Sequence, residues 1–387
     1  MSVSPVVVDA RIDVTPVRTP AERAAFLELP YRLHRGLPLW VPPLRAEQRA
    51  LLSERRNPFF AHGRARLFLA RRRGAVVGRI AAHVNPRFDE HHGTAEGFFG
   101  FFDAEDDLAV ARALTAAAAD WLAEQGRPTM LGPLSFTTND ECGVLVDGFD
   151  QPPAVMMPYT PPYYVRLLES CGFTKAKDLL AWEFPTTFHE EPRLVRAATR
   201  LSERGALTVR PVDMRRFAAE AQLIRTLYNA ALGDNWGFCP MDEREFSTLA
   251  RRLKHVLQPD MAVIGEVRGR PVGFAIALPD LAPAFAAARG RLFTCGLPLG
   301  LARFWSAQRR LTRGRLIAMG VGEEDRGRGL ELLMYLALSR ACHDRGLGVG
   351  EASWVLEDNR QVNAATARIG GRVTKRYRLY RRPVGSV

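Results

Sequence analysis

Leu316-Ile317-Ala318-Met319-Gly320-Val321-Gly322 runs directly into Glu323-Glu324-Asp325-Arg326-Gly327-Arg328-Gly329, and from there into the apolar-periodic stretch Leu330–Asp344. The first segment reads as a strand and the last as a helix, so the residues between form a Gly-rich strand-to-helix turn. Glycines let backbone N–H groups come close to a bound phosphate. The helix N-terminus adds partial positive charge, and Arg326 and Arg328 add full charges. The pattern predicts a phosphate-bearing ligand at this junction.

Working outward, the strands before the turn have a counterpart almost two hundred residues upstream. GAVVGRIAA (74–82) matches GRPVGFAIA (269–277), with Gly74, Val77, Gly78 and Ala82 facing Gly269, Val272, Gly273 and Ala277. Trp40-Val41-Pro42-Pro43 faces Trp236-Gly237-Phe238-Cys239-Pro240, and LLESCGFTK (167–175) faces TARIGGRVTK (366–375). Three matches in the same order at nearly one offset indicate a duplicated domain, with boundaries at 1–195 and 205–387.

In the first copy, helical pattern covers 20–29, 44–54, 108–125 and 162–170. Strand pattern covers 67–70, 76–84, 97–102, 130–134 and 179–184. The second copy repeats the order, with helices at 214–231, 242–256, 330–344 and 359–369. Its strands fall at 262–267, 272–278, 316–321, 351–355 and 376–380. This order suits an α+β protein in which each copy builds a mixed, mostly antiparallel sheet with helices on both faces.

The charge is divided unequally. The net charge of +12 comes from 54 basic and 42 acidic residues. Residues 1–200 hold 24 of each sign and residues 201–387 hold 30 basic and 18 acidic, so the second copy carries all of the excess. At the junction matching 323–329, the first copy reads Asp103-Ala104-Glu105-Asp106-Asp107. Those acids suit a helix N-terminus but repel a pyrophosphate. Only the second copy is expected to hold a phosphorylated cosubstrate.

The Arg326-Gly327-Arg328-Gly329 turn, within this element order, resembles the GNAT superfamily of N-acetyltransferases. Its loop, Arg/Gln-x-x-Gly-x-Gly/Ala, binds the pyrophosphate of acyl-CoA or acetyl-CoA. Here the last position is Glu331. The family's fifth strand usually leads to Asn-x-x-Ala-x-x-Leu-Tyr-x-x-x-Gly-Phe. Asn359 takes the Asn place, and Thr366 replaces the tyrosine that commonly protonates the departing thiolate. Tyr228-Asn229 with Asn235–Phe238, the run 132–153 and the run 279–293 resemble a bacterial tandem group that includes ceramide synthase-like N-acyltransferases.

The resemblance implies N-acylation of an amine from acyl-CoA, with a long acyl chain and a lipid-like acceptor. The alternatives are acetylation of a small metabolite or an aminoacyl-tRNA, and acyl-CoA binding without turnover. It places the cosubstrate on Val321, Arg326, Gly327, Arg328, Gly329 and Asn359. The N–H groups of Met319 and Val321 would meet the thioester carbonyl, and Glu357, just before Asn359, would act as base, with Glu351 and Ser353 as other candidates. Asn139, Glu141, Tyr159 and Tyr163 of the first copy, with Tyr228 and Trp236, would line the acceptor site.

Other residues exclude alternatives. No stretch of 18 apolar residues occurs and the N-terminus lacks a signal-peptide pattern, so a cytoplasmic protein is expected. The five cysteines form no CxxC pair. Asp89-Glu90-His91-His92 has no second cluster at ligand spacing, so it reads as a solvated loop and no metal is expected. The second copy shows no RNP-type or zinc-knuckle motif, so nucleic acid is a less favoured partner that stays open. Residues 279–315 mix Leu292, Phe293, Leu297, Leu299, Leu301, Phe304 and Trp305 with Arg303, Arg309, Arg310, Arg313 and Arg315. That mixture suits peripheral contact with an anionic membrane, or a lid over an acyl channel.

Overall fold

A computed structural model describes residues 11–205 and 207–385. The strands are β1 (Ile12–Pro16), β2 (Arg64–Arg72), β3 (Ala75–Val84), β4 (Glu96–Ala104), β5 (Thr129–Gly132), β6 (Val144–Asp147) and β7 (Thr174–Pro185). They continue as β8 (Leu207–Pro211), β9 (Ala262–Val267), β10 (Arg270–Pro279), β11 (Arg313–Val321), β12 (Val349–Leu356) and β13 (Arg372–Pro383).

These strands form one sheet in the order β1-β2-β3-β4-β5-β13-β7-β12-β11-β10-β9-β8, with β6 on β13. The pairs β4/β5 and β11/β12 are parallel and the other ladders are antiparallel. The two copies approach from opposite edges and meet at β13 and β7. Each terminal strand lies against the other copy: β13 pairs β5 through Tyr380↔Gly132 to Pro383↔Thr129, and β7 pairs β12 through Phe184↔Gly350 to Leu179↔Leu356. The sheet therefore runs unbroken across the 195/205 boundary.

Both copies carry tight hairpins for the same local reason. Arg73-Gly74 and Arg268-Gly269 all take positive φ, which glycine adopts without strain. Helix Leu108–Glu124 buries Val110, Ala111, Leu114, Ala118 and Leu122 against the first half-sheet. Helix Leu330–His343 buries Leu330, Met334 and Leu338 against the second. A third cluster joins the halves, with Leu131, Leu145, Leu179, Ala181, Cys239, Tyr377 and Leu379 together.

The run 89–92 is not a solvated loop. It lies in a helix, Pro86–His92, capped by Asn85 and stopped by Gly93 at φ 63°. His91 and His92 reach across to the carbonyls of Gly233 (2.8 Å) and Phe238 (2.7 Å), so these polar residues tie the halves together. Nearby, His62, Asp242 and Glu245 gather around the guanidinium of Arg87, which pairs with both acids. The sequence reading also missed three short strands, β1, β6 and β8, and the helices Pro192–Gly205, Ala282–Ala288 and Leu299–Gln308.

At the centre, Lys375 of β13 and Glu351 of β12 form an ion pair at 2.8 Å, each side chain only 1% exposed. Ser353 donates a further hydrogen bond to Glu351 (2.9 Å). Removing one partner of such a pair strands the other charge in the interior. Lys375→Met should destabilise the protein by about 3 kcal/mol or more. It should lower both halves in one denaturant transition, because β13 belongs to the sheet of both; urea unfolding followed by circular dichroism measures this.

Candidate active site

Strand β11 carries the feature that opens the site. Ile276 pairs with Ala318 but Ala277 pairs with Leu316, so Ile317 is the extra residue of a β-bulge. On its other side, β11 pairs with β12 only from Arg313↔Val349 to Leu316↔Ala352. Beyond the bulge the two parallel strands part. Gly322 donates to the Val272 carbonyl (2.8 Å), which makes 272/322 a hydrogen-bonded pair of the antiparallel ladder. By alternation, the backbone groups of Met319 and Val321 point away from β10, toward the gap.

The turn sits at the end of this gap. Arg326 donates to the Val321 carbonyl (3.2 Å) and to the Ala231 carbonyl (2.8 Å), bracing the turn against helix Phe217–Leu232. Gly327 and Gly329 take φ 75° and 93°, and no side chain caps the helix that starts at Leu330. Its first N–H groups therefore lack the usual partner. The Gly327 amide already meets a carboxylate from within the chain, donating to Glu331 Oε1 at 3.1 Å. Arg328 is exposed and pairs with Asp325 at 3.0 Å.

The first copy has the same bulge and has closed the same gap. Its register shifts between Arg79↔Asp103 and Ala81↔Gly100, where Phe101 holds φ 50°. There the Leu134 amide donates to the Phe99 carbonyl (2.7 Å), and a Cβ on Gly100 would lie 1.7 Å from the Leu134 oxygen. The helix after it is capped by its own Asp107, which accepts from Ala109 N–H at 2.7 Å.

Two of the residues expected at the acceptor site meet across the halves. Tyr228 donates to Asn139 Oδ1 at 2.5 Å, and Asn139 donates to the Cys239 carbonyl at 3.1 Å. Tyr228 also packs near Phe274 of β10 and shares a cluster with Ala318, next to the bulge. Trp236 lies partly buried, with the Lys177 ammonium 5.6 Å from its ring. Tyr163 is elsewhere, donating to Ala104 within the first copy (2.9 Å), and Tyr159 donates to Phe149 (2.8 Å). Glu357 is engaged on both oxygens, by Lys175 at 2.6 Å and by the Asp178 amide at 3.1 Å. Asn359 caps helix Arg360–Arg368 by accepting from Val362 (3.1 Å), and Thr366 is buried and donates to the Val362 carbonyl (2.8 Å).

Two groups escaped the sequence reading. Asp140 sits next to Asn139 and is bonded by the Thr137 hydroxyl at 3.3 Å; burial raises its carboxyl to about 7. Tyr335, on the helix after the turn, packs in a cluster with Leu316 of β11 and with Ala352 and Val355 of β12. Burial raises its phenol to about 12.

No family profile matches the chain. A protein of Caulobacter vibrioides named "Bacterial ceramide synthase" is 36% identical over 379 residues, covering 96% of this chain and 97% of that one. The chain belongs to the bacterial ceramide synthase family. Escherichia coli K12 "Protein YghO" is 36% identical over 367 residues, covering 93% of this chain and 92% of its own. Solved structures show the same fold at low identity. A tandem GNAT protein from the clavulanic acid pathway aligns over 97% of this chain and 100% of its own, with TM-score 0.54 and 14% identity. A GCN5-related N-acetyltransferase of Sphaerobacter thermophilus covers 96% of both chains, with TM-score 0.51 and 13% identity. This family member has the fold of the tandem GNAT proteins.

The first copy of this family member keeps a cavity of about 110 Å³, lined by His34, Trp40, Arg79, Asp103, Glu141 and Tyr159 among others. Asp103 is its fixed charge, bonded by His34 Nε2 (2.7 Å), Arg79 Nε (2.7 Å) and the Tyr164 hydroxyl (3.0 Å). Burial pushes the Asp103 carboxyl up, but Arg79 and His34 outweigh it and hold the pKa down to about 2. Glu141 lines the same volume and is exposed to solvent. The folded pKa of Asp103 lies below its unfolded value, so its stabilisation is present at neutral pH and is lost as pH falls toward about 2. Asp103→Asn should destabilise the protein at pH 7 by about 3 kcal/mol, leaving Arg79 without its counter-charge. It should also flatten the acid limb of the stability curve between about pH 4 and 2; thermal melts across that range measure both effects.

Proposed function

We propose that this protein transfers a long-chain acyl group from acyl-CoA to a lipid-like amine of the sphingoid type, drawn from an anionic membrane surface. The observation that carries the reading is the difference between the copies. The second copy leaves a gap, an uncapped helix N-terminus and exposed Arg328 at one place. The first fills the gap with residues 132–135 and caps its helix with Asp107. The relative named for ceramide synthesis, collinear over 96% of this chain, supports the acyl and amine classes.

The residues fit such a cosubstrate. The amides of Gly327 to Leu330, with Arg328, would hold its pyrophosphate in place of the Glu331 carboxylate now on Gly327. Arg326 would act by fixing the turn, because its guanidinium is committed to the carbonyls of Val321 and Ala231. Asn359 would contribute as the cap of its helix.

Acyl transfer begins with an ammonium that must lose a proton. Asp140 is suited to take it, since its carboxyl titrates near neutral pH and it adjoins the Tyr228–Asn139 contact. We prefer it to Glu357, whose oxygens are both engaged. The amine nitrogen then bonds to the thioester carbon, and the C–S bond breaks. The N–H groups of Met319 and Val321 face the gap and would stabilise the charge that gathers on the carbonyl oxygen. Tyr335 would give its phenol proton to the departing thiolate and regain one from the nitrogen, which sheds its second proton as the amide forms; Thr366 is unsuited to this role because its hydroxyl is held by Val362.

Arg328→Glu should weaken CoA binding by about tenfold or more without lowering the melting temperature, since Arg328 is exposed and bonds only the adjacent turn. Isothermal titration with CoA checks it. A base near 7 makes kcat/KM rise with pH through neutrality. Asp140→Asn should abolish that rise and lower the rate about 100-fold or more at pH 8. Tyr335→Phe should lower kcat and leave the rise in place. A pH–rate profile of the two variants tests both assignments.

A further inference from the structure

Between β10 and β11 the chain leaves the sheet for two short helices, Ala282–Ala288 and Leu299–Gln308, that pack on each other. Phe285 and Phe304 meet at 5.2 Å on the inside. The connection is closed by Thr294 and Leu297, which exchange backbone bonds of 2.9 and 3.0 Å, and by Leu301 donating to the Leu292 carbonyl at 2.9 Å. The base is fastened to the first copy, where the Arg45 amide donates to the Gly290 carbonyl at 3.1 Å. A side chain on Gly290 would press on Tyr31 and on the Pro43 carbonyl, and Pro43 lines the first-copy cavity.

The outer face is unlike the rest of the surface. Phe293, Leu297 and Trp305 are each 58% exposed and Leu299 is 47% exposed. Only two other large apolar residues, Val195 and Val373, are strongly exposed among the described residues. Arg289, Arg291, Arg303, Arg309 and Arg310 are exposed around them, and no acidic residue occurs between Asp280 and Glu323. The two helices pack on each other behind this face, so the apolar side chains are held outward.

We infer that residues 289–310 are a docking surface for an anionic lipid bilayer, with the apolar side chains entering the headgroup boundary and the arginines meeting lipid phosphates. Aromatic residues beside arginines also suit single-stranded RNA. Leu297 and Leu299 offer no ring to stack on, and a bilayer accepts all four side chains. Among the described residues no helix is long and apolar enough to cross a membrane, so the contact is interfacial. The purpose of the contact rests on the lipid-amine reading; the binding itself does not.

The test is flotation of the full chain with phosphatidylcholine vesicles, with and without phosphatidylglycerol, and with poly-uridine as competitor. The wild type should float with the anionic vesicles and be released by salt. Arg303→Glu/Arg309→Glu/Arg310→Glu and, separately, Phe293→Ser/Trp305→Ser should each lower the bound fraction about tenfold or more at unchanged melting temperature. Flotation equal to wild type in both variants would overturn the proposal, as would retention by poly-uridine in place of vesicles. So would loss of a dimer, seen by light scattering, in variants that still float. Both variants should acylate a short-chain, water-soluble amine at the wild-type rate. If the wild type acylates no amine but still floats, the lipid-amine reading falls and the docking surface stands.

Discussion

The pairing of β7 with β13 is the constraint on which the rest of the molecule depends. Nine register partners run from Arg372↔Glu183 to Arg381↔Thr174, at the middle of the sheet. Each strand closes the half-sheet of the other copy, so neither copy completes its sheet with its own last strand. The polar groups at this centre are matched across copies. Asp178 of β7 is fully buried and meets Arg378 at 2.7 Å, while Glu183 meets Arg313 at 2.7 Å and Arg372 at 3.2 Å. Slipping β13 by one residue would drive Lys375, Tyr377 and Leu379 out of their buried positions and undo these pairs together. The register thus fixes how the gap of one copy faces the loops of the other.

Within that frame, a duplicated device has two outcomes. Both copies bulge the strand before the helix, at Phe101 and at Ile317. A bulge turns the strand and ends its parallel pairing. The chain that covers the bulged strand then decides the chemistry. In the first copy, Gly100 and Gly132 allow the chain at 132–135 to lie on the strand backbone, and the gap is consumed by protein. In the second, nothing comparable among the described residues covers β11, whose residues from Leu316 to Gly320 stay half-exposed. The first copy has instead turned its loop 137–141 toward its partner, placing Asn139 on Tyr228 and Asp140 nearby.

This division explains what was legible in the sequence. Local rules were readable: the glycines of the two hairpins, the apolar stripe of 108–124, the strand–turn–helix around Arg326, and the duplication that sets them in register. The strand exchange was not, because TKAKDLLAWEFP and RVTKRYRLYRRP satisfy the same pattern in either position, and their partners lie far away along the chain. Site residues divided along the same line. Arg326 and the glycines stem from chain geometry. Asp140 has no local signature, since its raised pKa comes from burial that only the folded chain supplies. Tyr335 was hidden in ordinary helical periodicity. Glu357 looked free beside Asn359 until β7 brought Lys175 to it.

The exchange also changes the meaning of the net charge. By sequence, the whole excess of +12 falls in the second copy. Strand β13 accounts for six of those basic residues with no acid, and it lies against the first copy. There Arg381 meets Glu96 at 2.9 Å, Arg378 meets Asp178, and Arg382 donates to the Cys171 carbonyl at 2.8 Å. Half of the excess is therefore spent inside the fold or along its seam, and cannot draw anionic partners from a distance. Exposed arginines cluster instead at Arg289–Arg310, in a stretch of sequence that holds no acid, on the face that also shows Phe293, Leu297, Leu299 and Trp305. A phosphate-binding turn needs only a few donors at short range. A bilayer needs charge and apolar area spread over one face, and the fold separates the two requirements onto two surfaces of the same copy.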